Sequence, residues 1–332
     1  MRGIVRAWMP ATALLAAVLS PSRALAIDPV FLDSFETGDS CAWTPGPSTC
    51  PGFRIETPPV TVLGGEEATW CYYFHTPNSA AMGIRKWKST MTPGTHHMIA
   101  YTTYDAGWNP ADRQPAGTLT QSPCGFGSGT GNAAWVFAAH DPAAELAMPG
   151  DDGSGTPLAV EIPAGQPGFI YMRAFNSGTD PITASVQLEA EALPPATPYT
   201  ETATYHAINT TLSIPPGSVG FPAAKTCPTP PGVEFWWLST RTHRFATQAK
   251  VRDGNSDLVV STDWEHPSAL VLAAPNFHAF SSGLTYECTY DNPTGASIVA
   301  GESESTNETC IGVGYFFPAT RPMLCINNIG PL

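Results

Sequence analysis

Short segments in which apolar and polar residues alternate recur along most of this chain, with turn-forming residues between them. Ala68 to Phe74 and Ala184 to Leu188 show the alternation, and Gly83-Ile84-Arg85-Lys86-Trp87-Lys88 is a further strand-like run. A period of two sends successive side chains to opposite faces of a strand, so each segment reads as a half-buried β-strand. No long stretch carries the 3.6-residue period of an amphipathic helix. The pattern predicts an all-β chain built from two tandem antiparallel, jelly-roll-like β-sandwiches. The first is placed at 53–192 and the second at 199–332. The stretch Leu193-Pro194-Pro195-Ala196-Thr197-Pro198 cannot continue a central strand and forms a stiff connector between them.

Composition fits this picture, with 30 glycines, 34 prolines and only 13% charged residues in 332. The N-terminus adds a compartment. Arg2 and Arg6 precede the apolar run Ala11 to Ser20 and then Ala24-Leu25-Ala26, which has the form of a signal-peptidase site. Cleavage near Ala26 predicts a secreted or periplasmic product. No later stretch approaches the roughly 20 apolar residues of a membrane span. Loss of Arg2, Arg6 and Arg23 takes the net charge from −13 to −16, which excludes nucleic acid and anionic membranes as natural partners. The eight cysteines read as disulfides, since no C-x-x-C pair exists. Only Cys41 and Cys50 are near enough in sequence to close a short local loop. They lie in the appendage 27–52, whose acidic residues lack the spacing of an EF-hand loop.

Candidate chemistry centres on Thr95-His96-His97-Met98. Neighbouring side chains of a regular strand diverge, so the two imidazoles can share one ion only where the backbone bends. Pro93 and Gly94 make such a bend available. Of the other histidines, His266 and His140 read as turn residues, while His75, His206 and His278 are isolated. Met98, Met148 and Met172 read as apolar fillers. Phe235-Trp236-Trp237 reads as a sandwich strand in which alternation puts Trp236 opposite the other two rings, leaving it to a partner. The chain has no G-x-S-x-G turn, phosphate loop or dinucleotide fingerprint.

The combination of Trp70-Cys71-Tyr72, Thr95-His96-His97-Met98, Asp263-Trp264-Glu265-His266-Pro267 and Glu308-Thr309-Cys310-Ile311 resembles the copper type II, ascorbate-dependent monooxygenases, the family of peptidylglycine hydroxylase and dopamine β-hydroxylase. The resemblance runs from about Phe53 to the C-terminus. It implies two sandwiches facing each other across an open, solvent-filled cleft, with one copper in each. One copper, held by three histidines, takes an electron from ascorbate. The other, held by a His-x-His pair and a methionine, binds dioxygen and hydroxylates an aliphatic C–H bond. Imidazole and thioether donors suit Cu(I).

Carried over residue by residue, the ligand set is incomplete. His96 and His97 match the first site, but Phe175 stands at the third histidine. His243 matches the second site, but Arg241 stands at its partner histidine and Thr309 at the methionine. A phenyl ring cannot ligate, an arginine stays cationic, and a neutral hydroxyl is a poor ligand for Cu(I). The resemblance also implies disulfides Cys71–Cys124, Cys227–Cys325 and Cys288–Cys310, leaving Cys41 with Cys50. The expectation is therefore an exported copper-monooxygenase-like protein with degenerate copper sites and reduced or no hydroxylase activity. His96, His97 and His243 remain as metal-binding candidates, and the protein would bind one metal ion, a small molecule or a protein partner. The alternative is an active copper- and O2-dependent monooxygenase with ascorbate as reductant.

Overall fold

The structure, a computed structural model, describes residues 51–103, 114–121, 124 and 133–330. The signal peptide expected at 1–26, nearly all of the 27–52 appendage and the expected Cys41–Cys50 pair lie outside the described residues. All described regular structure is β-strand, as the alternation predicts. Among the described residues no helix is long and apolar enough to cross a membrane.

The first sandwich has an outer sheet, in the order Gly52–Glu56, Val186–Ala192, Met82–Met91, Leu158–Ile162 and Thr200–Glu201. Its inner sheet runs Leu119–Thr120, Glu67–His75, Pro167–Phe175, Thr95–Thr103 and Ala133–Ala139. Thr200–Glu201 pairs in parallel with Leu158–Ile162, so the chain leaves the first sandwich only after the proline connector. The second sandwich has an inner sheet of Ala269–Val271, Glu234–Arg241, Ile311–Phe317, Ala203–Ile208 and Met323–Ile326. Its outer sheet is Phe221–Cys227, Leu284–Tyr290, Ala246–Asp253 and Ser256–Ser261. The disulfides Cys71–Cys124, Cys227–Cys325 and Cys288–Cys310 are formed as expected. By restricting the unfolded chain, each contributes about 2–4 kcal/mol.

The two sandwiches do not stand apart across an open cleft. They meet along a joint in which Ala133–Ala139 lies against Ala203–Ile208, and Trp236, Tyr315 and Phe317 pack on the first sandwich's core, unlike the solvent-filled cleft that the resemblance implies. The burial pattern follows from this arrangement. Outer strands such as Val186–Ala192 and Leu284–Tyr290 alternate between buried and half-buried positions. Inner strands such as Ala203–Ile208 and Ile311–Phe317 are buried at every position, because both of their faces are covered. One face of the inner sheet of the first sandwich (Met98, Ala100, Ile170, Met172) packs on Trp87 and Leu188 of the outer sheet. The opposite face (Ile99, Tyr101, Phe169, Tyr171) belongs to a separate apolar cluster turned toward the second sandwich.

Two bulges shape this joint. In Ala133–Ala139 the ladder passes from Phe137 opposite Ala100 to Trp135 opposite Tyr101, leaving Val136 without a counterpart. The Val136 carbonyl accepts the hydroxyl of Tyr315 from the second sandwich. Beside it, His206 Nε2 lies 3.2 Å from the Trp135 carbonyl, and the two rings stack at 5.5 Å. In Glu234–Arg241 the extra residue is Trp236. Its side chain joins the first sandwich's core and donates to Thr202 Oγ1 at 2.8 Å. The bulge overrides the alternation that set Trp236 apart from Trp237: both rings face the first sandwich, while Phe235 enters the core of the second. The partner of Trp236 is thus the other half of the same chain.

Tyr315→Phe strips the buried Val136 carbonyl of this donor with little change of shape. It is expected to lower stability by about 1–3 kcal/mol, read as a shift in urea midpoint at constant slope.

Candidate functional site

A third bulge builds the site. Thr95–Thr103 runs antiparallel to Pro167–Phe175, with Arg173 opposite His97 but Ala174 opposite Thr95. His96 is therefore the extra residue, and the alternation that would separate the two imidazoles is broken. Their Nδ1 atoms lie 3.1 Å apart. Gly94 permits the approach: its φ is +92°, and a Cβ there would meet Ile182 Cδ1 at 1.9 Å. His97 has no exposed surface and stacks on Tyr171 at 5.6 Å. His96, partly exposed, stacks on Trp264 at 5.8 Å. His140 brings a third ring to 5.3 Å from His97.

Both sandwiches supply the charges. Glu304, in the loop before Ile311–Phe317, places Oε1 at 3.3 Å from His97 Nδ1 and Oε2 at 3.7 Å from His96 Nδ1. The same carboxylate meets Arg173 Nε at 3.3 Å and Arg241 Nη2 at 3.7 Å. Arg173 also reaches Glu67 through Nε at 3.1 Å. Glu265 Oε1 lies 3.5 Å from His96 Nε2. Arg241 Nη2 lies 3.3 Å from His97 Nε2.

This last contact fixes the proton arrangement. A guanidinium only donates, so His97 Nε2 must accept, and the ring's single proton sits on Nδ1. From there it faces Glu304 and His96 Nδ1. Burial, reinforced by Arg241, His140, His96 and Arg173, holds the His97 pKa well below its usual range and the ring neutral.

The counterparts of the second copper site have other employment. His243, buried, holds Nδ1 at 3.3 Å from the Asn307 carbonyl. Burial first and Arg241 second push its pKa down to about 3. Glu308 accepts the backbone N–H groups of His243 at 3.0 Å, Phe245 at 2.7 Å and Thr309 at 3.2 Å. Burial nevertheless raises its pKa to about 7. The Thr309 carbonyl accepts the Tyr290 hydroxyl at 2.7 Å. Phe175 ends its strand 48% exposed, two residues beyond Arg173.

The donor set does not fit two coppers. His96 Nδ1, His97 Nδ1 and a Glu304 oxygen do lie within 4.8 Å of one another. A metal on His97 Nδ1, however, would force the ring proton to Nε2, against Arg241. Two guanidinium groups already neutralise the carboxylate. A second close group, Asp263, Glu265 and His266, is exposed. Asp263 Oδ1 there accepts the N–H groups of Glu265 and His266, an ordinary turn.

The remaining histidines divide plainly. His75 is exposed, His206 sits in the joint, and His278 pairs by its backbone with Phe235 and faces Asp253 at 3.4 Å. Met98, Met148 and Met172 are buried fillers. Sequence reasoning missed Glu304, Arg173 and the place of His140. Arg173 carried a signal: a cation inside the apolar strand Pro167–Phe175 needs a buried carboxylate.

No family model matches the chain, and no curated protein matches it by sequence. Among solved structures, the chain is similar to PNGase F, a glycosylasparaginase from Flavobacterium meningosepticum. That similarity has 10% identity and a TM-score of 0.37, and covers 82% of this chain and 97% of that one. It is also similar to the major capsid protein P2 of bacteriophage PM2, at 6% identity and a TM-score of 0.33, over 80% and 97% of the two chains.

Proposed function

We propose that this protein is an exported, copper-monooxygenase-like binding protein whose paired copper centres have been replaced by a buried His–Glu–Arg network. The contact between Arg241 Nη2 and His97 Nε2 carries the reading. It joins the residue standing for a second-site ligand to a first-site histidine, which supports the loss of the second metal site. Three disulfides are compatible with an extracellular or periplasmic protein, and the signal-peptide-like pattern of residues 1–26 supports export. A protein of this kind does not hydroxylate; it binds at the joint.

The test is copper stoichiometry after anaerobic loading of the mature protein with Cu(I) and dialysis, together with ascorbate-dependent oxygen uptake. Fewer than one tightly held copper per chain and no oxygen uptake are expected. Two coppers per chain, with loss in His96→Ala/His97→Ala, would restore the hydroxylase. The 4.8 Å grouping favours one second reading, a single ion on His96, His97 and Glu304. It requires displacement of Arg241 and predicts one copper, lost in the double variant.

A further inference from the structure

A cavity of about 330 Å³ lies in the joint, lined by Ile99, Tyr101 and Tyr171 from the first sandwich and by Ile208 and Ile311 from the second. Stacking holds both tyrosine rings in place, Tyr101 on Phe169 at 4.6 Å and Tyr171 on His97 at 5.6 Å. The apolar wall is therefore formed before anything enters, as in most small-molecule sites.

The polar side chains that share this wall are engaged elsewhere. Arg241, 6% exposed, turns Nη2 to His97 and Glu304. Glu308, with no exposed surface, takes the backbone N–H groups of His243, Phe245 and Thr309. Asn209 Oδ1 accepts both the N–H and the hydroxyl of Thr211 at 3.0 Å, and Thr210 Oγ1 accepts Asn327 Nδ2 at 3.1 Å. Glu302 is engaged as well. The Arg241 Nη1 and Thr309 Oγ1 atoms are sealed from solvent and lie behind the cavity surface. A cavity water is held well only by about two to four polar partners, and this wall has few to give. Loosely held water is displaced at a gain by an apolar group. An ion entering the same space would lose its hydration and find no partner.

From this wall we infer that the cavity binds a small, uncharged, apolar molecule with the bulk of one or two aromatic rings. A dry apolar cavity of about 150 Å³ already takes benzene, so a space of about 330 Å³ admits one or two rings. The inference names a ligand class for the binding at the joint proposed above, rests on that reading, and needs no metal.

The test is calorimetric titration of the chelator-treated mature chain with toluene and naphthalene, and with benzoate and benzylamine as charged molecules close to toluene in size. Saturable binding of one hydrocarbon per chain is expected, with the negative heat-capacity change that marks apolar burial. Benzoate and benzylamine should bind at least tenfold more weakly than the better hydrocarbon. Ala300→Leu adds bulk at the wall and is expected to weaken naphthalene at least tenfold, and more than toluene. Ile208→Ala enlarges the space and is expected to move the preference toward naphthalene. If one variant fails to fold the other decides on size, and the titrations of the unaltered chain stand by themselves. Absence of saturable binding by both hydrocarbons overturns the proposal. So does either charged compound binding as tightly as the better hydrocarbon, or a size preference unchanged in every folded variant. The copper stoichiometry tests the underlying reading on separate samples, so the failure of one is told apart from the failure of the other.

Discussion

Lowering the pH from 7 to 5 is expected to remove roughly 5 kcal/mol of folding stability, a large part of what a protein of this kind possesses. The cause is a set of imidazoles folded away neutral. His140 and His243 are pushed down to about 3 and His206 to about 4, in each case chiefly by burial. His97 is lowered well below its usual range for the same reason. In the unfolded chain all four take up protons as the pH falls through about 6.5, while the folded protein refuses them. Their stabilisation is complete above that value and is lost as the pH falls toward the folded values. Glu308 works in the opposite direction. With a folded pKa of about 7 against 4.5 when free, it is more readily protonated in the folded state. It therefore returns about 2 kcal/mol over the same interval. The net remains strongly destabilising in acid. Urea midpoints at constant ionic strength from pH 7.5 to 5 measure it. A flat or rising profile on acidification would show that these rings are not neutral and sealed.

Replacing Glu304 by glutamine is the substitution expected to cost most at the site, about 3–5 kcal/mol. Glu304 is 6% exposed and stands between Arg173 and Arg241, themselves 7% and 6% exposed. An amide of the same shape removes the negative charge shared by two buried cations and offers the His97 Nδ1 proton only a neutral carbonyl acceptor. Surface pairs set the contrast. Arg54 with Glu189, 59% and 30% exposed at the side chain, should contribute less than about 1 kcal/mol. Chemical denaturation of Glu304→Gln, Arg241→Met and the double variant measures the coupling. The double variant is expected to be more stable than the sum of the two losses implies, because neither charge is then left unpaired. A loss below about 1 kcal/mol for Glu304→Gln would mean that the carboxylate is solvated in solution.

The strands were legible in the sequence because burial on one face writes a period of two, as in Val186–Ala192. The bend at His96 was foreshadowed by Pro93 and Gly94, and the structure delivers it as a bulge. The closed joint was written less openly, in runs such as Ile311–Phe317 that are apolar without alternation. Such runs mean burial on both faces. An expectation of two sandwiches separated by solvent gave those faces nothing to meet. The bulge at Trp236 could not be read, since one extra residue in a strand changes no composition and only its partner strand reveals it. Glu304 was hidden for a related reason. It lies in a polar loop among other polar residues, and its importance comes from two arginines distant in sequence, at 173 and 241.

The strand Ala133–Ala139 lies at the border of its sheet, and two successive carbonyls on it, at Trp135 and Val136, are met by side chains from the far half of the chain. A sheet border normally protects itself with charges, prolines or a cover of its own. Here the cover has been handed to a neighbour, so the first half is not a self-sufficient module. Recombination at the proline connector would cost the first sandwich both this shield and the tryptophan that completes its core. The first half thus keeps its edge covered only in the company of the second, however much the tandem arrangement suggests interchangeable parts.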